Sequence, residues 1–309
     1  MNVKSEGHRP LNKDTVTLCF PDQEKSCFAC CPPIRPAGYE HIQYRSIIAR
    51  MLRENTAHFN RQKDEVSPVT GFSCWALGYV DQQYRLVGCL LHPAHHDGID
   101  LRYRIDYHDK CRREVCHEAK TFSGLRNVEK NFWLHMAEGL DSFSFSSRKI
   151  NPLFNMLQWG IPILGLVASE DIDRIFSWDG FLATYPFFAT NLPPKANAYL
   201  IDRMITKETL HLLGRRPFGL EFEKFSKRLS ADIKKTVITS TNSPYVHLLD
   251  LDSHFSDFLR LSCHIGRAEK KDVLLIRDRV DQEIDCFMRN VLCRVWRKRS
   301  SNSSMIGAR

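Results

Sequence analysis

The sequence predicts a mainly α fold with an irregular, cysteine-rich N-terminal metal-binding region and short β-hairpin-like segments. Three observations carry this. The stretch "CFACCPPIRP" gathers Cys27, Cys30 and Cys31 within five residues and follows them with prolines that exclude a continuous helix. Apolar residues then recur at helical spacing through several long segments, while two short apolar runs flank the polar turn "DQQ".

In chain order, residues 18 to 36 read as a loop, broken by Pro21, Pro32, Pro33 and Pro36. "YEHIQYRSIIARMLREN" places Tyr44, Ile47, Ile48, Met51 and Leu52 on one helix face. Residues 71 to 92 form the hairpin-like pair, with Cys74 and Cys89 near its outer ends. A polar, histidine-rich stretch follows, and "CRREVCHEAKTFSGL" opens a further helix, with "NVEKNFWLHMAEGL" helical as far as Gly139. Thiols become rare beyond "DSFSFSSRKINP", which gives a predicted division into residues 1–145, cysteine-rich, and 146–309, mainly helical with a basic tail. "KANAYLIDRMITKETLHLLG" reads as one amphipathic helix ended by Gly214. The last helix carries Val273, Ile276, Val280, Ile284, Phe287, Val291 and Val295 at nearly a 3.5-residue period, a seam for the body of the protein or for a partner helix.

Length and composition bound the function. With 309 residues and 43% hydrophobic content the chain buries a sizeable core without metals or disulfides. The polar opening "MNVKSEGHRPLNKD" predicts neither a secretory signal nor an anchor, and a cytoplasmic location is expected. "NPLFNMLQWGIPILGLVAS" is interrupted by Asn155, Gln158, Gly160 and Pro162, so it reads as a buried segment and no membrane span is expected. A net charge of +8 spread over the chain disfavours nucleic acid, and the basic patch "RVWRKR" lies in the frayed tail. No particular partner is indicated, although the C-terminal helix and tail are candidates for docking a protein.

Eleven cysteines cannot all pair, and in a reducing compartment a thiol cluster points to metal or redox chemistry. Eight of them, Cys19, Cys27, Cys30, Cys31, Cys74, Cys89, Cys111 and Cys116, fall in the first 116 residues. Cys27-x2-Cys30 is the spacing of a metal knuckle, in which both sulfurs address one ion. The second half of such a site comes from Cys74 with Cys89 or from Cys111 with Cys116. Cys31 diverges from Cys30 and suits a second ion or a polynuclear centre. Cys19 and His92 are additional candidate ligands, while His95 and His96 read as loop residues. Cys286 and Cys293, seven apart on the last helix, lie about 10 Å apart along its axis and cannot share an ion.

A nucleophilic role for Cys27 or Cys31 would need a neighbouring cation, for which Arg35 and His41 stand nearest in sequence. A triplet of thiols suits ligands better than nucleophiles. The set Asp250, Asp252 and His254 in "DLDSH" reads as an acidic loop. Phosphate-binding, dinucleotide and H-E-x2-H motifs are absent.

The motifs "CFACC", the helix around "RSIIARML", "CWAL" and "CLLHP" together resemble the YkgJ family of zinc- or iron-chelating proteins over roughly the first 120 residues. The resemblance implies Cys27, Cys30, Cys31, Cys74 and Cys89 as ligands of zinc or iron, the latter as an ion or an iron–sulfur cluster. It leaves Cys111, Cys116 and Cys19 as alternatives for completing the site, because Cys19 stands eight positions before Cys27 and no cysteine follows Cys89 directly. A related pattern occurs in FliB-type lysine N-methylases, which makes an iron–sulfur-dependent modification enzyme the alternative expectation. An interaction module is the third.

Overall fold

The structure, a computed structural model, describes residues 16–31, 38–61, 65–70, 74–113, 115–171, 177–236 and 242–306, and the Pro32, Pro33 and Pro36 segment lies outside them. The described residues are mainly helical with one small antiparallel sheet. The chain forms two compact units, Met1–Leu157 and Gln158–Arg309. The division falls at Leu157 rather than near residue 145: Asn151 donates to the Phe145 carbonyl at 2.9 Å and the Phe154 ring lies 6.4 Å from that of Phe145.

In the first unit, α1 (Arg45–His58) packs across a hairpin of β1 (Leu77–Tyr79) and β2 (Val87–Cys89). The hairpin register pairs Leu77 with Cys89 and Tyr79 with Val87. The outer edge of β1 would leave backbone groups unpaired, and α1 supplies their partners. Asn55 Nδ2 donates to the carbonyls of Cys74 (3.2 Å) and Leu77 (2.8 Å), and the Tyr79 N–H donates to Thr56 Oγ1 at 2.7 Å. Gly78 permits this approach, because a Cβ there would lie 2.7 Å from Thr56 Oγ1 and from a Leu90 methyl. The buried stripe of α1 is therefore narrow. Ile48 and Leu52 are buried, whereas Tyr44 (49% exposed) and Ile47 (59%) face outward, contrary to the periodicity.

Short helices complete this unit: α2 (His108–Arg113), α3 (His117–Gly124), α4 (Asn127–His135), α5 (Ser142–Ser146) and α6 (Leu153–Leu157). The predicted single helix through Cys111 and Cys116 is thus two helices, with Cys116 as the N-cap of the second. The helical reading through to Gly139 shortens to α4, whose exit is followed by Gly139 in the left-handed region at φ +78°.

The second unit contains α7 (Ile161–Asp171), α8 (Trp178–Thr184), α9 (Pro194–Met204), α10 (Arg216–Thr236), α11 (Ser253–Asp257) and α12 (Lys270–Ile306). Its core is aromatic: Trp159 lies 5.4 Å from Phe187, which lies 5.4 Å from Phe222, while Phe181 stacks on Phe188. The predicted helix to Gly214 stops at Met204. Thr209 Oγ1 accepts the Thr206 N–H and donates to the Met204 carbonyl, closing a turn in place of the next helical one. The seam of α12 is used inside the unit, with Val273, Val280 and Ile284 buried and Phe287 stacked on Phe225 of α10 at 4.4 Å. That accounts for the predicted period without a partner helix; the side chain of Val295 lies outside the described residues. No helix among the described residues is long and apolar enough to cross a membrane.

Asp252 and His254 of the "DLDSH" loop have structural duties. The Asp252 carboxylate caps α11 by accepting the Phe255 N–H at 2.9 Å, and His254 Nδ1 meets Asp202 of α9 at 2.5 Å. Gly160, at φ +94°, lies flush against the imidazole, where a Cβ would stand 2.2 Å from its Cε1. The hydrogen bond to Asp202 raises the His254 pKa, and burial raises that of Asp202. Both shifts favour proton binding in the folded state, so their stabilisation is full at low pH and falls as pH rises through the folded values. The urea midpoint of the second unit should therefore decline as pH is raised above the ordinary imidazole range, and H254Q should flatten that decline.

Candidate metal centre

Where the cysteine loop runs is decided by three serines. The Ser26 hydroxyl accepts the Val87 N–H at 2.6 Å and donates to the Val87 carbonyl at 2.8 Å, standing in for a strand partner of β2. On its other side the Ser26 N–H donates to Ser142 Oγ (3.0 Å) and the Phe28 N–H to Ser146 Oγ (2.9 Å), both on α5. Ser26 is fully buried, and Phe28 is anchored edge-on against Phe143 at 5.2 Å. The loop closes on itself through the Cys27 N–H, which donates to the Cys19 carbonyl at 2.8 Å.

With the backbone held, the eight N-terminal cysteines fall into two sets of electrostatic neighbours. Burial first, then Cys30 and Cys116, raise Cys19 to about 12. Burial and then Cys19, Cys30 and Cys116 hold Cys27 well above its ordinary value. Burial, the Glu118 carboxylate and Cys30 raise Cys116 to about 11. Cys19, Cys27, Cys30 and Cys116 thus form one quartet. Cys31 is raised by its hydrogen bond with Cys30, then by burial and by the charge of Cys30, and less by Cys89 and Cys74. Burial raises Cys74 to about 11 and Cys89 to about 12, with Cys111 adding to both. Cys31, Cys74, Cys89 and Cys111 form the second quartet. Cys30 adjoins both groups, because its thiol is hydrogen-bonded to that of Cys31, which corrects the expectation that the two adjacent side chains diverge.

Backbone N–H groups near the sulfurs favour the thiolate, as they do in metal knuckles. The backbone N–H groups of Ala29, Ala76 and Leu91 lower the pKa of Cys27, Cys74 and Cys89 against the larger effect of burial, and the Leu77 N–H is spent on the Cys74 carbonyl at 3.0 Å. The Ala119 N–H meets Cys116 Sγ at 3.3 Å in the first turn of α3. Each quartet also has an arginine beside it. Arg102, held by Asp100 through two 2.8 Å contacts, donates to the Cys111 carbonyl at 2.9 Å and lies near the Cys89 and Cys111 sulfurs. Arg148, 3.2 Å from Glu118, lies near Cys116. These cations offset part of the negative charge that a tetrathiolate site carries.

Among the described residues no three His, Cys, Asp or Glu side chains are arranged to hold an ion. The quartets are neighbouring thiols, not closed coordination shells. Their donor chemistry nevertheless fits soft metals.

The remaining sequence candidates separate from these sets. His92 spends its Nδ1 on the Ala94 N–H at 3.2 Å, capping a short turn, and burial and Arg102 lower its pKa. The cap uses Nδ1 alone. His96 is buried with Nε2 2.5 Å from the Leu90 carbonyl, which corrects its reading as a loop residue. His41 is buried between the rings of Phe28 and Tyr39, and Arg35 lies outside the described residues. Raised thiol pKa values disfavour the thiolate a nucleophile needs at neutral pH. Cys286 and Cys293 are exposed on α12, and Cys263 is buried, with burial raising it to about 12.

Sequence reasoning identified all eight thiols but not their partition, and it missed the serine clamp entirely. Comparison with protein-family models, with curated proteins and with solved structures returns no match.

Ser26→Ala should destabilise the first unit by about 1–3 kcal/mol, since it leaves a buried N–H and carbonyl of Val87 without their partner. The shift in urea midpoint measures it, with the exposed S123A as the control.

Proposed function

We propose that the first unit is a two-site thiolate metal centre for zinc or iron, with Cys19, Cys27, Cys30 and Cys116 serving one site and Cys31, Cys74, Cys89 and Cys111 the other. The reading is carried by which thiols neighbour one another: Cys19, Cys27 and Cys116 each with Cys30, and Cys74 and Cys89 each with Cys111, with Cys31 between Cys30 and the second group. Each set draws its members from distant stretches of chain: 19–30 with 116 in one, and 31, 74–89 and 111 in the other. Four thiols are the complement of a structural zinc or of an iron–sulfur cluster. The Ala119 N–H donated to Cys116 Sγ supports the same reading, as does the resemblance of "CFACC", "CWAL" and "CLLHP" to the YkgJ family.

A bound metal would replace the thiol protons and relieve the mutual repulsion that burial imposes on the sulfurs. Zinc would supply a crosslink, and an iron–sulfur cluster would add electron transfer. In either case the loop, the hairpin and the starts of α2 and α3 become tied to one another, so metal affinity adds to the stability of the unit.

Single substitutions test the partition. Cys116→Ser should remove about one of two bound equivalents and leave the second site filled, and Cys74→Ser should do the reverse. Cys293→Ser should keep full content. Equal metal content in all three variants would overturn the assignment.

A further inference from the structure

Apart from the thiols, the first unit carries a cleft of about 580 Å³ between α1, the hairpin and the segment entering α5. That volume suits a small organic molecule. Tyr79, Tyr84 and Phe143 line it together with the guanidinium groups of Arg45, Arg53 and Arg85. Arg45 is bound to Asp141 and lies over the Phe143 ring at 5.2 Å. Arg85 stands 3.7 Å from Asp81.

Two polar groups in the cleft are left for something else. Arg53 lies 5.9 Å over the Tyr84 ring and forms no ion pair with a described residue. The Tyr79 hydroxyl makes no hydrogen bond among the described residues, although Tyr79 is only 6% exposed. Arg53 and Arg45 are also close enough to Tyr79 to pull its phenol pKa down against the larger, opposing effect of burial. A cation and a phenol O–H thus converge beside an aromatic wall, since Tyr79 and Tyr84 meet edge to face at 5.2 Å. Glu24 and Asp141, also in the lining, exclude a polyanion from the full length of the cleft.

We propose that this cleft binds a small aromatic anion, its carboxylate or phosphate held by Arg53 and the Tyr79 hydroxyl and its ring against Tyr84 and Phe143. An arginine provides two parallel donors for such an oxyanion, and the phenol a third. The rings provide a face that neutral and charged aromatic molecules share, so the charged group supplies the selectivity.

The test is ligand-observed NMR on the full chain with matched pairs: adenosine 5′-monophosphate against adenosine, and 2-naphthoate against 2-naphthol. The expected result is that the anion of a pair binds at least about tenfold tighter than its neutral counterpart, with the preference lost in R53Q and reduced in Y79F. R277Q, in the second unit, should keep it. Pairs that bind equally, anions that do not bind, or a preference that survives in R53Q would each overturn the proposal. Arg53 is exposed and remote from the thiols in sequence, so R53Q should keep the circular dichroism and the metal content of the parent. A failed cleft is thereby distinguished from a failed metal centre.

Discussion

The paired hydrogen bonds between Ser26 and Val87 are the constraint on which the cysteine region depends. A loop with this composition has no secondary structure to hold it, and its backbone groups would otherwise be solvated or orphaned. A single buried hydroxyl gives the loop one rung of β-like pairing, and Ser142 and Ser146 hold its other side. The consequence reaches the thiols directly. Cys27 follows Ser26, and Cys89 follows Val87 by two positions, so one clamp fixes loop and strand against each other and with them members of both quartets.

A second constraint is electrostatic. Six of the N-terminal thiols, Cys19, Cys27, Cys31, Cys74, Cys89 and Cys116, resist ionisation, both by burial and through neighbouring thiols. The Ala119 N–H at Cys116 and the nearby Arg102 and Arg148 favour the opposite charge state, the thiolate. On the proposed reading, a soft cation would take the place of the thiol protons. The second unit shows no such concentration. Its stability rests on aromatic packing around Trp159, Phe187 and Phe222 and on the use of the α12 seam by α10.

How much of this is legible in sequence follows from which interactions are local. The mainly helical class, the hairpin around residues 77–89 and the seam of α12 are periodic patterns, and the structure has them. Boundaries decided by side-chain to backbone bonds are not periodic. Thr209 ends α9 early, Cys116 starts α3 as a cap, and Asn55 and Thr56 serve a strand edge, so that Tyr44 and Ile47 lose the buried positions their spacing suggests. The thiols themselves are visible as residue types. Their grouping depends on contacts across as many as ninety-seven positions, Cys19 to Cys116, which spacing does not encode. The same holds for His254 and Asp202, which an acidic-loop reading of "DLDSH" leaves apart.

The central claim, that the first unit holds metal in two thiolate sites, is tested most directly by metal and acid-labile sulfide analysis of the intact protein purified without oxygen, with its absorbance spectrum. The account predicts about two zinc ions per chain in a colourless solution, or iron with sulfide in a brown one. Protein free of metal, with all of its N-terminal thiols reacting as independent groups under native conditions, would contradict it.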